Sequence, residues 1–491
     1  MSDLIKLLFV AFSFLVFAPL LGIVLAKRPT ASRIVFALMC AMTVNGLFEA
    51  GNWGLTLASI ERYRGHAKGY HFYFNQALAI SLIVARFLER PRDFKWIPPN
   101  GGLYLLYCAC SFLSIVNAPR PDYVWMALQK MLFAGLVLCA TYNYLRDEND
   151  LILFIQVMAG VMIWQMAVCL KMKYMDHIYQ VRGTFEHQNP LCMYAIMIGL
   201  PLLAAAMGPP FRGANWVFFA FIACGVVVQC TLSRAGMMMF AAGTAAVLGL
   251  SLVEKPTQRR IRVLATLGCL GCVALLLSLD TIISRFKDHG NEASSELRDV
   301  MNEASRRMLA DYSLGIGWNN FALAFNPPYP YVEVLHEWVR GRGMTINEEI
   351  DSPVVESHYW LLLSETGWLG WGSYLLLIAI AAGRNLLAFV HLEHGFTRCL
   401  SLGIAFGCLM NYVQSILERV LVQPRNLMLW LILLGIGGRI ETLRRESIAA
   451  GNAKGSGFWR RTLLVATALV LKGISRGTKT KSLSSNGKAG R

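Results

Sequence analysis

The sequence predicts an all-α, polytopic transmembrane helical bundle with one large, partly helical outward loop, and three observations predict it. Of 491 residues 55% are hydrophobic and only 15% charged, too little charge to cover a water-soluble protein of this length. Uncharged runs such as "LLFVAFSFLVFAPLLGIVLA", "MLFAGLVLCATY", "LATLGCLGCVALLLSL" and "WGSYLLLIAIAA" recur along the chain, and a helix rising ~1.5 Å per residue needs ~20 such residues to cross hydrocarbon. Lysine and arginine, finally, concentrate in alternate loops.

Apolar runs place candidate spans at 4–26, 34–49, 72–88, 101–117, 123–142, 150–170, 188–207, 215–231, 234–252, 262–280, 357–382, 398–415 and 424–438, about 12–14 spans by the ~20-residue criterion. The first follows Lys6 but runs on to Ala26 and meets Lys27 and Arg28 without a clean cleavage site, so it reads as a retained span rather than a signal peptide. The loops 27–33, 86–95, 254–262 and 439–446 hold clustered Lys and Arg and fall on one side by alternation, the cytoplasmic side by the positive-inside rule. Loops 171–187, 232–234, 281–355 and 416–423 then face outward. The chain divides into N-terminal membrane helices (1–170), central membrane helices (171–280), the large outward loop (281–355), C-terminal membrane helices (356–440) and a basic cytoplasmic tail (441–491).

Much of the net charge of +16 sits in that tail, which suits anionic lipid at ~1 kcal/mol per charge near the surface. Its Gly/Ser-rich composition lacks the interleaved aromatics of a nucleic-acid binder, so no nucleic-acid partner is expected. The "TLLVATALVL" segment (462–471) is short for a span and reads as interfacial. All twelve cysteines lie in or beside apolar segments, where cysteine behaves as a small hydrophobe. The CxxC spacing of Cys269 and Cys272 has no further ligands nearby in sequence, and neither a metal nor a cofactor is expected.

The outward loops are rich in arginine. Loop 171–187 carries Arg182 and His187 just before a span, with Asn189 following. The short turn "QCTLSRAGMMMF" puts Arg234 almost at membrane depth, where an arginine costs ~2.5 kcal/mol or more and normally has a partner or a task. Loop 281–355 opens with Arg285, Arg298, Arg306 and Arg307 on an amphipathic helix whose stripe would be Met301, Ala304, Met308 and Leu309. Snorkelling to headgroups is the structural alternative for each arginine. Convergence on one face would instead suit a diphosphate, which guanidinium grips with a bidentate fork.

The stretches "RGTFEHQNPLCMYA", "LSRAG", "SLGIGWNNF" and "ESHYWLLLSETGWLG" follow one another in this order, and as a set they resemble motifs of the O-antigen ligase and O-antigen polymerase superfamily, multi-span glycosyltransferases that use lipid-linked glycans. "RGTFEHQNPLCMYA" resembles its "GTF-x-H-x-N-x-LA" signature and "LSRAG" its "SRG" turn. "SLGIGWNNF" resembles "PLLGVGxxNF", and "ESHYWLLLSETGWLG" resembles "HNxYLxxLxExGxxG". The likeness covers about 182–372, while the first 170 residues match only as generic spans.

The resemblance implies transfer of a glycan from an outward-facing polyprenyl diphosphate to an acceptor hydroxyl, with inversion and without a required metal, in a bacterial cytoplasmic membrane. Acceptors would be a glycan, lipid or protein, and other polysaccharide-assembly proteins are expected partners. By motif, Arg234, Arg298 and Arg182 would hold the diphosphate, with His187, Asn189, Arg285 and Arg419 as possible substrate contacts. The family's junction histidine stands nine residues before the glutamate of its "ExG" element. Counting back from Glu365 gives Glu356, with His358 two residues later. Both can accept a proton, and Glu356 is favoured by position. "DSP" (351–353) reads as the helix start, which would put Glu356 in the first turns beneath the helix dipole.

Elsewhere in the loop, Trp318, Asn319, Asn320, Phe321, Tyr329, Tyr331 and Trp338 suit sugar stacking or a membrane interface equally. Glu348, Glu349 and Asp351 read as solvated charge, and Glu418, Arg419 and Arg425 as an internal ion pair or as reaching the same cavity. Two rivals stand beside the transferase: a lipid-linked-glycan transporter or flippase, which would favour internal repeats that are not evident here, and an inactive polysaccharide-assembly partner.

Overall fold

A computed structural model describes residues 3–44, 54–60, 63–287, 290–343 and 354–450, the side chains over 273–295 and at 420 excepted. The basic tail, Glu348, Glu349 and Asp351 lie outside the described residues, as does the side chain of Arg285. The chain is a multi-pass helical membrane protein. Its helices are α1 (Asp3–Ala26), α2 (Pro29–Ala41), α3 (Phe74–Glu89), α4 (Gly101–Asn117), α5 (Pro121–Tyr144), α6 (Glu148–Tyr174), α7 (Gln188–Met207), α8 (Ala214–Thr231), α9 (Arg234–Glu254), α10 (Gln258–Lys287), α11 (Gly290–Asp311), α12 (Glu333–Gly341), α13 (His358–His391), α14 (Phe396–Gln414) and α15 (Pro424–Ala449). Among the described residues nine of them are long and apolar enough to cross a membrane: α1, α5–α9 and α13–α15.

Local chemistry explains the irregularities. Pro19 lacks the N–H that would continue the ladder behind it, and α1 relaxes into a π-helical turn at Phe12–Phe17. The sequence reading began a span at residue 72. The structure instead pairs strands β1 (Gly54–Leu57) and β2 (Tyr70–Tyr73) as a short antiparallel ribbon before α3 begins. The aromatic and β-branched residues of "GLTL" and "YHFY" suit such a ribbon. The last helix runs to Ala449, past the boundary expected near 440.

The bundle is organised around α7, whose apolar window is wholly buried. Pro201 interrupts its ladder, and α14 approaches closely there. A Cβ on Gly403 would lie 2.6 Å from the Pro201 Cα, and one on Gly407 2.6 Å from the Met197 carbonyl oxygen. Small residues allow this backbone contact where lipid supplies no hydrophobic drive between helices. At the periphery, Leu4, Ile5, Leu8, Phe12 and Leu15 of α1 point outward, as a lipid-facing helix requires.

The helices alternate between two poles. At one, Asn117 Nδ2 donates to the Gly315 carbonyl (3.0 Å), Arg120 N to Asn320 Oδ1 (3.0 Å), and His358 N to the Ser415 carbonyl (3.0 Å). The start of α1 belongs here too, since Phe14 packs edge-on against Phe72 of the ribbon. At the other pole, Asn100 Nδ2 reaches the Leu434 carbonyl (2.8 Å), Arg146 pairs with Glu89, and Arg398 with Glu254 (2.8 Å). The clustered basic loops gather at this second pole, and the loops read as outward gather at the first.

Helix α11 buries Met301, Ala304 and Met308 as the stripe predicted, with Leu309 half-buried and Arg306 and Arg307 exposed. The turn-rich segment after it is stitched to α13: Ile316 N donates to the Ser364 carbonyl (2.9 Å), Gly317 N to Glu365 O (3.1 Å) and Trp368 N to Ser313 O (3.3 Å). Gly367, at φ +63°, breaks α13 at this crossing, and Gly315, at φ +86°, would place a Cβ 2.4 Å from the Glu365 carbonyl oxygen. Gly315 of "SLGIG" and Gly367 of "SETG" therefore serve one contact, while Gly317, at φ +107°, makes room for Ala118.

Candidate functional site

Helix α13 starts later than the sequence suggested. Residues 354–357 are not helical, and the Ser357 hydroxyl caps the helix by accepting from Trp360 N at 3.5 Å. Glu356 thus precedes the helix instead of standing in its first turns. Arg298, projecting from α11, donates through Nε to Glu356 Oε2, and its Nη2 lies 3.7 Å from Glu418 Oε1. The same Glu418 oxygen accepts Asn189 Nδ2 at 2.6 Å. His187, within electrostatic reach of Glu356, caps α7 by accepting from Asn189 N. Loops distant in sequence thereby meet in one cluster with two carboxylates to one guanidinium.

Electrostatics differ across this cluster. Burial pushes the Glu418 carboxyl up to about 7, with Glu356 adding to the effect and Arg298, Asn189 and Arg419 opposing it. Glu356 is about half exposed. His358 is buried, its ring edge-on to Tyr374 at 5.1 Å, and among the described residues its Nδ1 has no hydrogen-bond partner. The two candidate bases therefore sit in opposite environments: the carboxylate in the wet ion cluster, the imidazole in the protein interior.

Of the motif arginines, Arg182 is exposed on the turn made by Gly183 (φ +54°), and Arg234 opens α9, half-buried, behind the Ser233 cap. Neither they nor Arg298 line the cavity beside the cluster. Among the described residues that cavity, of about 540 Å³, is bounded by Arg64, Lys68, Arg419 and Arg425, the imidazoles of His66 and His71, and one acid, Glu186. Arg419 links the two features, since its guanidinium feels Glu356, Glu365 and Glu418 together with Arg64.

Buried polar contacts build the cavity walls. Lys130, 1% exposed, donates to the His66 carbonyl (2.6 Å) and the Val422 carbonyl (2.7 Å), clamping opposite sides. Its buried ammonium is tolerable because these carbonyls solvate it. Asn319 holds the other end of the 63–67 turn, donating to the Ala67 carbonyl (2.8 Å) and accepting from Ala67 N (3.0 Å), while the Tyr63 hydroxyl donates to the Asn319 carbonyl. Burial and the nearby Lys130 and Lys68 charges depress His71 to about 3.

Of the residues offered for sugar stacking or a membrane interface, Tyr329 and Trp338 are half-buried and the other five lie inside the fold. Trp318, Asn319, Asn320, Phe321 and Tyr331 are buried, with Asn319 and Asn320 spent on backbone hydrogen bonds. Sequence reasoning also passed over the 54–73 segment, which supplies much of the cavity. Its signal was "RYRGHAKGYH" (62–71), a basic, histidine-bearing stretch on the side where the positive-inside rule expects few cations.

Comparison with known proteins adds no assignment: no protein-family model matches the chain, and no curated protein matches it.

Proposed function

We propose that this protein is a membrane glycosyltransferase that moves a glycan from a polyprenyl diphosphate carrier to an acceptor hydroxyl, as a polysaccharide polymerase or an O-antigen-type ligase, in a bacterial cytoplasmic membrane with its site facing outward. The observation that carries this is the adjacency of an acid-rich cluster and a cation-rich cavity at one pole, joined by Arg419.

Glycosyl transfer from a diphosphate needs these two environments side by side. The acceptor hydroxyl gives its proton to a carboxylate as its oxygen attacks the anomeric carbon; Glu356 and Glu418 are the carboxylates of the cluster. The bond from that carbon to the phosphate oxygen breaks, and its electron pair leaves on the diphosphate. Fixed cations aimed at those oxygens lower the barrier, a role for Arg64, Lys68, Arg419 and Arg425. Arg298, engaged by two carboxylates, serves better to position the acid cluster than to hold phosphate. Attack opposite the leaving group inverts the anomeric centre.

The test uses the full-length protein in detergent with a synthetic polyprenyl-diphosphate oligosaccharide and a panel of glycan and lipid acceptors. Release of polyprenyl diphosphate together with an extended or transferred glycan is the expected result. Absence of release, with carrier movement across proteoliposomes instead, would replace the transferase with a transporter.

A further inference from the structure

His66 belongs to none of the motifs quoted from the sequence. Its side chain is 4% exposed, and its ring lines the cavity. Among the described residues neither ring nitrogen has a hydrogen-bond partner. Glu365 stands behind it, with Oε2 3.7 Å from Nε2. The other Glu365 oxygen accepts Phe321 N at 3.1 Å, which fixes the carboxylate against the imidazole. A buried polar group left without partners is costly, and a ligand in the cavity would complete these bonds.

Burial and the surrounding charges favour the neutral ring. Burial, followed by Lys130, His358, Arg419 and His71, drives the His66 imidazole well below its ordinary 6.5, and Glu365 is the acid that faces it. A phosphate seated among Arg64, Lys68, Arg419 and Arg425 brings several negative charges into the same space. That reverses the sign of the local potential and favours the protonated ring.

We propose that His66, backed by Glu365, takes up a proton when a phosphate or diphosphate group binds in the cavity and holds that proton at a phosphate oxygen. This rests on the reading of the cavity as the seat of the donor's phosphates. In the transfer, the acceptor's proton departs toward Glu356 and Glu418. The electron pair of the broken bond passes to the phosphate oxygen, to which His66 presents an N–H. The proton returns to solvent when the diphosphate leaves.

Calorimetric titration of inorganic pyrophosphate into the full-length protein, repeated in buffers of different ionisation enthalpy, counts the protons exchanged on binding. The wild type should take up as much as about one proton per site more than His66→Gln. The variant should bind pyrophosphate within about tenfold of wild type, since the four cations remain. The ligand's own protonation is common to both proteins and cancels in the difference. Equal uptake by the two proteins overturns the proposal. Should His66→Gln fail to fold, Glu365→Gln replaces it in the same paired comparison, where the ligand's own protonation still cancels: the variant should take up fewer protons than the wild type, and equal uptake sinks the idea. Absence of pyrophosphate binding overturns both this inference and the cavity's role as phosphate seat, while glycan transfer in the turnover assay stands or falls separately. Competition between soluble pyrophosphate and polyprenyl diphosphate in nanodiscs distinguishes a lipid-borne ligand from a free one.

Discussion

Arg298 and Glu356, 58 residues apart in sequence, form the ion pair that ties the amphipathic helix of the large loop to the start of α13. Both partners are partly exposed, at 35% and 49%, so the pair contributes less than about 1 kcal/mol to stability. Its importance lies in orientation. Glu356→Gln should lower glycan transfer by about 100-fold or more, the usual worth of a general base, while moving the unfolding midpoint little. Turnover and thermal unfolding measured on the same preparation check this, and unchanged turnover would remove Glu356 from the reaction.

Arg419 stands between the acid cluster and the cavity, and its substitution should be felt through the donor. Arg419→Ala is expected to weaken pyrophosphate binding at least about tenfold, and Arg419→Lys to restore it only in part because an ammonium lacks the guanidinium fork. Titration of both variants against wild type provides the comparison.

Glu418 gives a pH dependence with a definite sign. Its folded-state value, about 7, is raised above the ordinary 4.5, so the native state favours the protonated form more than the unfolded state does. Its contribution is fully present below pH 4.5 and is lost as pH rises through about 7. Between those limits the melting temperature should fall with rising pH, and Glu418→Gln should flatten that segment of the curve. An unaltered slope in the variant would mean that another group titrates there.

Gly367 should tolerate no side chain. Its φ of +63° is strained for any other residue, and a Cβ would lie 2.3 Å from the Ser313 carbonyl oxygen. Gly367→Ala is expected to cost about 2 kcal/mol or more and to uncouple the 312–317 segment from α13, read as a lower melting temperature and faster hydrogen exchange at Ile316 and Gly317.

Much of the fold was legible because a membrane imposes a length and a composition that a single sequence displays. Met301, Ala304 and Met308 likewise announced the buried stripe of α11 through their spacing. The start of α13 was misplaced because Ser352 followed by proline carries the same local capping signal as Ser357; tertiary contact, through His358 N on the Ser415 carbonyl, accompanies the later start. Trp318 and Asn319 looked like sugar-binding groups because the residue types that bond hydroxyls also bond backbone. Only the fold reveals that Asn319 is occupied by Ala67. The cavity's cations come from segments as far apart as Arg64 and Arg425, and no local pattern announces such a meeting.

The break at Gly367 has a mechanical consequence. The hydrogen-bond ladder of α13 is interrupted there, so His358–Thr366 forms a short rod of its own, lashed to the 312–317 loop through Ile316 and Gly317. Any displacement of the 312–317 loop is carried to Glu365, whose backbone carbonyl holds Gly317 N, and through it to His66 on the wall of the cavity. The glycine acts as a joint between the segment tied to the 312–317 loop and the longer segment packed among the other helices.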